Sequence, residues 1–383
     1  MGWNTYRSNF NESIIKEVAD LFVSLGLRDA GYEYITLDGG WSALNRTDRG
    51  QRQPNPESFP NGIKPLVDYV HSKGLKVGIY SDAGLLDCGF APGSYGYEDE
   101  DIATFAEWGI DFLKYDNCGG FHANVEPPQV RFGRMRDAIS RSNRGMLYSM
   151  CQWGSQFPWF WADAVGHTYR MAGDINAYFG DEAGHKDCQC ASTAYCLNTG
   201  YAGCSVLAYI RKMREVAQFQ KPFSFADMDM LEIGQISNET LAKTRTHFGF
   251  WAALKPPLVL GTDLSRLSSD KLDIVKNKDV IAVNQDALGK AAAYIKAASQ
   301  ENVRQVWSGP LANGDAVVLI FNETPTPQNI SVDVSLIDEL SIGDRLAIKD
   351  LWTGETWSSS GIISADDVDA WDTRIFRVAI SVS

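Results

Sequence analysis

From the start of the chain to about residue 285, short runs of β-branched and aromatic residues alternate with longer amphipathic stretches. The apolar runs predict strands at 34–38, 75–80, 112–116, 146–151, 168–171, 223–229 and 257–261, and the opening 1–3 supplies an eighth. Between them the spacing is helical. Ile14, Ile15, Val18, Leu21, Phe22 and Leu25 share one face of 12–25, and 241–254 forms a second helical stretch. Eight strands separated by helices predict an α/β fold, a (β/α)8 TIM barrel in preference to a doubly wound sheet. Past residue 288 the grammar changes to short strands at 303–307, 316–321, 345–351 and 373–380, with Asn313-Gly314 as a turn between the first two. The expected organisation is therefore a barrel over 1–287 and an antiparallel β domain over 288–383.

In a barrel of this kind the working residues stand at the C-terminal ends of the strands. Carboxylates gather there: Asp38 after the second strand, Asp82 after the third, Asp116 at the fourth, Asp174 after the sixth, and Asp227 and Asp229 at the seventh. Each could simply cap the next helix. Five strand ends converging with like charges still need a reason, and two chemistries provide one: a divalent metal, or glycoside cleavage by paired carboxylates. The five histidines, His71, His122, His167, His185 and His247, form no ligand cluster in sequence, so no metal site is expected, although a Mg2+ site of carboxylates alone competes. Lys114 lies two residues before Asp116 on the same strand face and is expected to hold it ionised. Arg170, four residues before Asp174, is expected to orient that carboxylate or a sugar hydroxyl; ordinary ion pairing at a barrel rim is the plainer alternative for both. Dinucleotide, NTP, serine-hydrolase and zincin motifs are absent.

Charge narrows the partners. Lys and Arg number 35 against 48 Asp and Glu, a net −13 that repels phosphate backbones and anionic lipid, so neither nucleic acid nor membrane is expected. The longest apolar run, 316–321, is far short of the roughly 20 residues a bilayer needs. Eleven Trp and 15 Tyr lean towards carbohydrate, since such rings stack on sugar faces. Seven cysteines, four of them crowded at Cys188, Cys190, Cys196 and Cys204, read as disulfides, with structural zinc as the rival. Five Asn-x-Ser/Thr sequons, at Asn11, Asn45, Asn238, Asn322 and Asn329, point the same way. No leader sequence lies in this numbering, so the expectation is a secreted chain whose signal precedes Met1.

The ordered motifs Met1-Gly2-Trp3-Asn4, Asp29-Ala30-Gly31-Tyr32-Glu33-Tyr34, Gly78-Ile79-Tyr80-Ser81-Asp82-Ala83-Gly84, Lys114-Tyr115-Asp116-Asn117-Cys118, Asp229-Met230-Leu231-Glu232 and Asn284-Gln285-Asp286-x-Leu288-Gly289 together resemble family 27 of the glycoside hydrolases, the α-galactosidases, and they begin at Met1. The likeness continues through the C-terminal β domain and resembles fungal members in particular. It implies a (β/α)8 barrel followed by a β-sandwich, and release of terminal α-galactose with retained configuration and no cofactor. By position Asp116 matches the nucleophile and Asp174 the acid/base, expected about 5–5.5 Å apart as in retaining enzymes. Trp3, Asp38, Tyr80, Lys114, Cys151 and Arg170 match sugar-contacting positions. Cys88 and Cys118 match a family disulfide, which leaves Cys151 unpaired, and Cys188 to Cys204 resembles an insertion tied by disulfides near the mouth.

Two departures bear on specificity. Typical members end the second strand Asp-Asp-Cys-Trp, the carboxylate pair gripping the 4- and 6-hydroxyls of galactose, whereas here it reads Asp38-Gly39-Gly40-Trp41. Gly39 offers no side-chain acceptor, which removes a charge-assisted hydrogen bond worth roughly 1.5–3 kcal/mol. Gln152 stands where many members carry an acidic residue and is also taken as substrate-binding. The alternative glycone is β-L-arabinopyranose, which lacks the hydroxymethyl group. The alternative outside enzymes is a non-catalytic carbohydrate-binding protein.

Overall fold

The structure is a computed structural model that describes residues 3–121, 126–182, 188, 203–340 and 345–380, with only the backbone of Trp3, Gly120 and Phe121. Six parallel strands form one sheet in sequence order: β1 (Tyr34–Thr36), β2 (Lys76–Asp82), β3 (Phe112–Asp116), β4 (Leu147–Met150), β5 (Thr168–Arg170) and β6 (Phe225–Asp227). Alternation on β3 sets the two sides. Tyr115 points outward to the ring of Phe132 on the helix Pro128–Arg141, 5.5 Å between centroids, so Lys114 and Asp116 face the barrel interior. Register then places Tyr80 beside Lys114 and Asp82 beside Asp116.

One expected stave is not a strand. The segment 257–261 pairs only through the parallel bridge Leu231–Leu260, with Leu231 N–H donating to Val259 O at 2.7 Å. Pro256 and Pro257 carry no N–H to extend that ladder. At the other end the chain forms a helical turn, Trp3–Tyr6, while Met1 and Gly2 lie outside the described residues. That turn closes the barrel through side chains: Asn4 donates to Glu232, and Thr5 Oγ1 donates to Gln235 Oε1 at 2.8 Å. The expected strand over 1–3 lies, but for the backbone of Trp3, outside the described residues.

The C-terminal part is a β-sandwich. One sheet has the order β12-β11-β14-β9-β8-β7, built from β7 (Ala293–Tyr294), β8 (Arg304–Pro310), β9 (Ala316–Asn322), β11 (Leu346–Asp350), β12 (Thr356–Ser359) and β14 (Thr373–Ile380). Against it lies the pair β10 (Gln328–Asp333) and β13 (Ile362–Val368). Val318 and Ile320 of β9 meet Ile330, Val332 and Ile363 across the sandwich, while Val317, Leu319 and Phe321 join the barrel's core. A strand buried on both faces explains the unbroken apolar run at 316–321.

The helix Leu241–Leu254 joins the two parts and is buried from Ala242 to Leu254 except at Arg245. Its Phe250 ring meets Trp307 and Phe321 of the sandwich at 5.6 and 5.7 Å, and Arg245 Nε donates to Asp372 Oδ1 at 3.0 Å. A Cβ on Gly249 would stand 2.5 Å from Ile375 Cδ1, so any larger residue would push the end of that side chain aside.

Four of the sequons lie at exposed asparagines, Asn11, Asn45, Asn238 and Asn329. Asn322 does not. Its side chain is buried and its Nδ2 donates to the carbonyls of Thr326, Val368 and Asp369, so this sequon is a structural asparagine and not a glycan acceptor in the folded chain. No helix among the described residues is long and apolar enough to cross a membrane.

Candidate active site

A cleft of about 1080 Å3 opens at the C-terminal ends of the strands. Asp38, Tyr80, Lys114, Asp116, Arg170 and Asp174 all line it, together with Asp87, Trp153 and Asp229. Six residues separated by up to 136 positions in sequence thus share one cavity, because each stands at or just after the end of a parallel strand.

Asp116 is buried at the floor. Tyr80 Oη donates to its Oδ2 at 2.9 Å and the Asn117 N–H to its Oδ1 at 2.9 Å. Tyr80 is fixed from behind by the Trp41 indole, whose Nε1 donates to the Tyr80 carbonyl at 2.8 Å. Arg131 holds the Asn117 side chain at 2.7 Å and the Ala83 carbonyl at 3.2 Å. Beneath lies Asp82, whose carboxylate accepts the N–H groups of Gly84, Cys118 and Gly119 at 2.8, 2.8 and 3.0 Å. A disulfide joins Cys88 to Cys118 two residues beyond Asp116.

Asp174 stands half-exposed on the opposite wall. Arg170 Nη2 lies 2.9 Å from Asp174 Oδ1 and 2.8 Å from Asp229 Oδ2, so one nitrogen links two carboxylates. Asp229 in turn accepts the Ile175 N–H at 2.8 Å, next in chain to Asp174. The Asp174 carbonyl accepts the Cys204 N–H at 2.8 Å, and Cys204 is disulfide-bonded to Cys188. Two cysteines of the crowded segment are therefore committed to a disulfide, which removes them as zinc ligands; Cys190 and Cys196 lie outside the described residues.

The electrostatics show how the Lys114 charge acts. Lys114 does not pair with Asp116; its Nζ donates to Asp38 Oδ2 at 2.7 Å, and Asp38 Oδ1 accepts the Gly39 N–H at 2.8 Å. Burial works against the Lys114 cation, but the Asp38 charge raises its pKa overall. For Asp116, burial pushes the carboxyl above its ordinary range while Lys114 opposes the shift from a distance. For Asp174, burial is outweighed by Arg170, which holds the carboxyl low. Burial pushes Asp229 up to about 6. The Asp174 charge adds to the upward shift of Asp116.

The remaining expected residues are placed as follows. Cys151 is a buried free thiol under the cleft, 3.6 Å from Arg170 Nη1. Gln152 is fully buried and does not line the cleft, and neither of its amide atoms has a hydrogen-bond partner. The side chain of Trp3 lies outside the described residues. Asp229 was visible in the sequence as a strand-end carboxylate, but its pairing with Arg170 spans 59 positions and leaves no local signal. Asp82, Cys88, Asp116 and Cys118 cluster closely, yet both sulfurs belong to the disulfide and Asp82 is spent on three N–H groups, so the donor set does not suit a metal. Of the described histidines, none lines the cleft.

Comparison with known proteins follows this geometry. Residues 4–286 match the sequence model of alpha galactosidase A, and residues 301–378 match that of the alpha galactosidase C-terminal beta sandwich domain. Alpha-galactosidase 3 of Arabidopsis thaliana is 40% identical over 381 residues, covering 98% of this chain and 80% of its own. The crystal structure of alpha-galactosidase I from Mortierella vinacea superposes with a TM-score of 0.92 at 35% identity, covering 100% of this chain and 96% of that one. A β-L-arabinopyranosidase of Geobacillus stearothermophilus has a TM-score of 0.80 at 18% identity, with 100% and 96% coverage, and shares the fold alone. The chain belongs to the alpha-galactosidase family, family 27 of the glycoside hydrolases.

Proposed function

We propose that this chain is a retaining exo-glycosidase that releases terminal α-D-galactose from oligosaccharides or polysaccharides, with 1–287 as its catalytic unit and 288–383 as a β domain. The observation that carries this reading is the pair Asp116 and Asp174, which line one cleft from the ends of different strands, Asp174 close enough for its charge to act on Asp116. Such a pair performs double displacement. Asp116 attacks the anomeric carbon while Asp174 protonates the departing oxygen. Asp174 then takes a proton from water, which attacks the glycosyl-Asp116 bond and frees the sugar with its configuration retained. The carboxyl groups are expected about 5–5.5 Å apart in the sugar complex.

The empty cleft favours the reverse of the charges this needs, with Arg170 drawing the proton off Asp174 and burial favouring a proton on Asp116. A sugar entering the cleft covers the half-exposed Asp174 and strips its water, which raises its pKa. The donors on Asp116, Tyr80 Oη and Asn117 N–H, stay in place and stabilise its anion. Asp38, Lys114 and Arg170 supply hydroxyl partners at the floor, and Cys151 supports them from below.

The two disulfides and the exposed sequons support export through an oxidising compartment. The acidic charge supports a neutral glycan substrate, not nucleic acid.

A panel of nitrophenyl glycosides tests the function. The α-galactoside is expected to release phenol fastest, well above β-L-arabinopyranoside. Preference for the pentose would make Gly39 decisive and overturn the galactose reading, and silence on every sugar would leave a binding protein. Asp116→Asn is expected to abolish turnover. Asp174→Ala is expected to lose far more on oligosaccharides than on aryl glycosides, whose leaving groups need little protonation.

A further inference from the structure

The rim of the cleft differs from its floor. Asp116, Lys114 and Arg170 are buried there, but Phe90 and Leu44, lining the same cavity, are 73% and 68% exposed. A large apolar side chain left this open costs solvation, and Phe90 also sits at φ 65, where glycine or asparagine would be at ease. A bulky residue in that region persists only where its surroundings hold it there.

The surroundings are built for it. Asp87 Oδ1 accepts the N–H groups of Gly89 and Ala91 at 2.8 and 2.9 Å, and the Phe90 N–H donates to the Asp87 carbonyl at 3.0 Å. Leu86 bridges Pro92, and Cys88 is anchored to Cys118. Buried Arg52 fastens this turn to the loop that carries Leu44: its Nε donates to Ser42 Oγ at 3.2 Å, its Nη1 to Ser81 Oγ at 3.1 Å, and its guanidinium lies 3.9 Å from Asp87. Two loops braced on one arginine therefore present two apolar side chains at the mouth.

The geometry points to a leaving-group subsite: we infer that Phe90, with Leu44 lining the same cleft, is the platform on which the apolar face of the sugar next to the terminal one stacks. This rests on the proposed reaction. With the terminal sugar at the carboxylates on the floor, the group it leaves behind must project outward past the rim. A pyranose presents a face of C–H groups to an aromatic ring, and such contacts give affinity without needing a charged partner. The occupant is the second hexose of an oligosaccharide.

The test compares two substrates that differ only beyond the scissile bond: α-galactosyl fluoride, whose leaving group is one atom, and an α-galactosyl trisaccharide. Phe90→Ala is expected to lower the ratio of trisaccharide to fluoride kcat/KM about three- to tenfold, through KM, and Phe90→Trp to restore it. Phe223→Ala provides the control, since Phe223 is 79% exposed at φ 65 but does not line the cleft, and its ratio is expected to equal wild type. An unchanged ratio for Phe90→Ala, or an equal loss on both substrates, overturns the inference. If the wild type cleaves neither substrate, it is the proposed reaction that fails.

Discussion

Lys114 reaches past the neighbouring strand to Asp38, 2.7 Å away, and leaves Asp116, on its own strand, to Tyr80 and a backbone amide. The ammonium thus holds the cleft-lining carboxylate that follows β1 in place and acts on Asp116 only through space. Both partners are largely buried, so removing one leaves an uncompensated charge.

Lys114→Met is accordingly expected to destabilise the fold by about 3–5 kcal/mol, read as a lower Tm and chemical midpoint. Adding Asp38→Asn should recover part of that loss but none of the activity. A single variant costing under about 1 kcal/mol would show that the pair is solvated.

Arg170 sets the alkaline side of the pH profile. In the proposed mechanism the active form holds one proton on the Asp116–Asp174 pair, so kcat/KM is expected to fall at low pH when both are protonated and at high pH when neither is. Arg170 lowers the Asp174 pKa. Arg170→Met removes that cation, favours the neutral acid, and should move the alkaline limb up by about one unit or more in a variant confirmed as folded. Movement downward would contradict the assignment of Asp174 as the acid.

Asp82 accepts three backbone N–H groups around the Asp116 loop. Asp82→Ala leaves them buried without partners, at about 1–3 kcal/mol each. Thermal unfolding should show a large drop, and the Cys88–Cys118 bridge should become reducible by mild thiol in the variant while it resists in the wild type.

Glycan mapping by peptide mass spectrometry offers a check on Asn322. Folded, exported protein is expected to carry glycans only among Asn11, Asn45, Asn238 and Asn329. Asn322→Asp should destabilise by about 3 kcal/mol or more, since it turns a carboxylate onto three carbonyls. An occupied Asn322 in active protein would refute this.

Much of this architecture was legible because strands such as β2 and β3 are buried on both sides and so read as apolar runs closed by a carboxylate. The stave expected at 257–261 was misread because prolines at 256 and 257 leave it no N–H groups to extend a ladder there. In the sandwich, β10 and β13 carry Ser, Asn and Asp on their open face, and this diluted their signal. At the site, residue types at strand ends were readable, but partners were not. That Lys114 chooses Asp38 over Asp116, or that Arg170 clasps Asp229, depends on which side chains the sheet brings across the cavity, and spacing along one strand carries no trace of it.

The helix between barrel and sandwich has one further consequence. Phe250 rests on Trp307 and Phe321, and the next residue, Trp251, donates its indole N–H to the Asp229 carbonyl at 2.9 Å. Adjacent side chains thus tie a domain that contributes nothing to the cleft lining to the carboxylate that steadies Arg170. Truncating the chain before β8 would do more than bare a greasy surface. It would slacken the wedge under Asp229 and detune a proton held on the far side of the barrel.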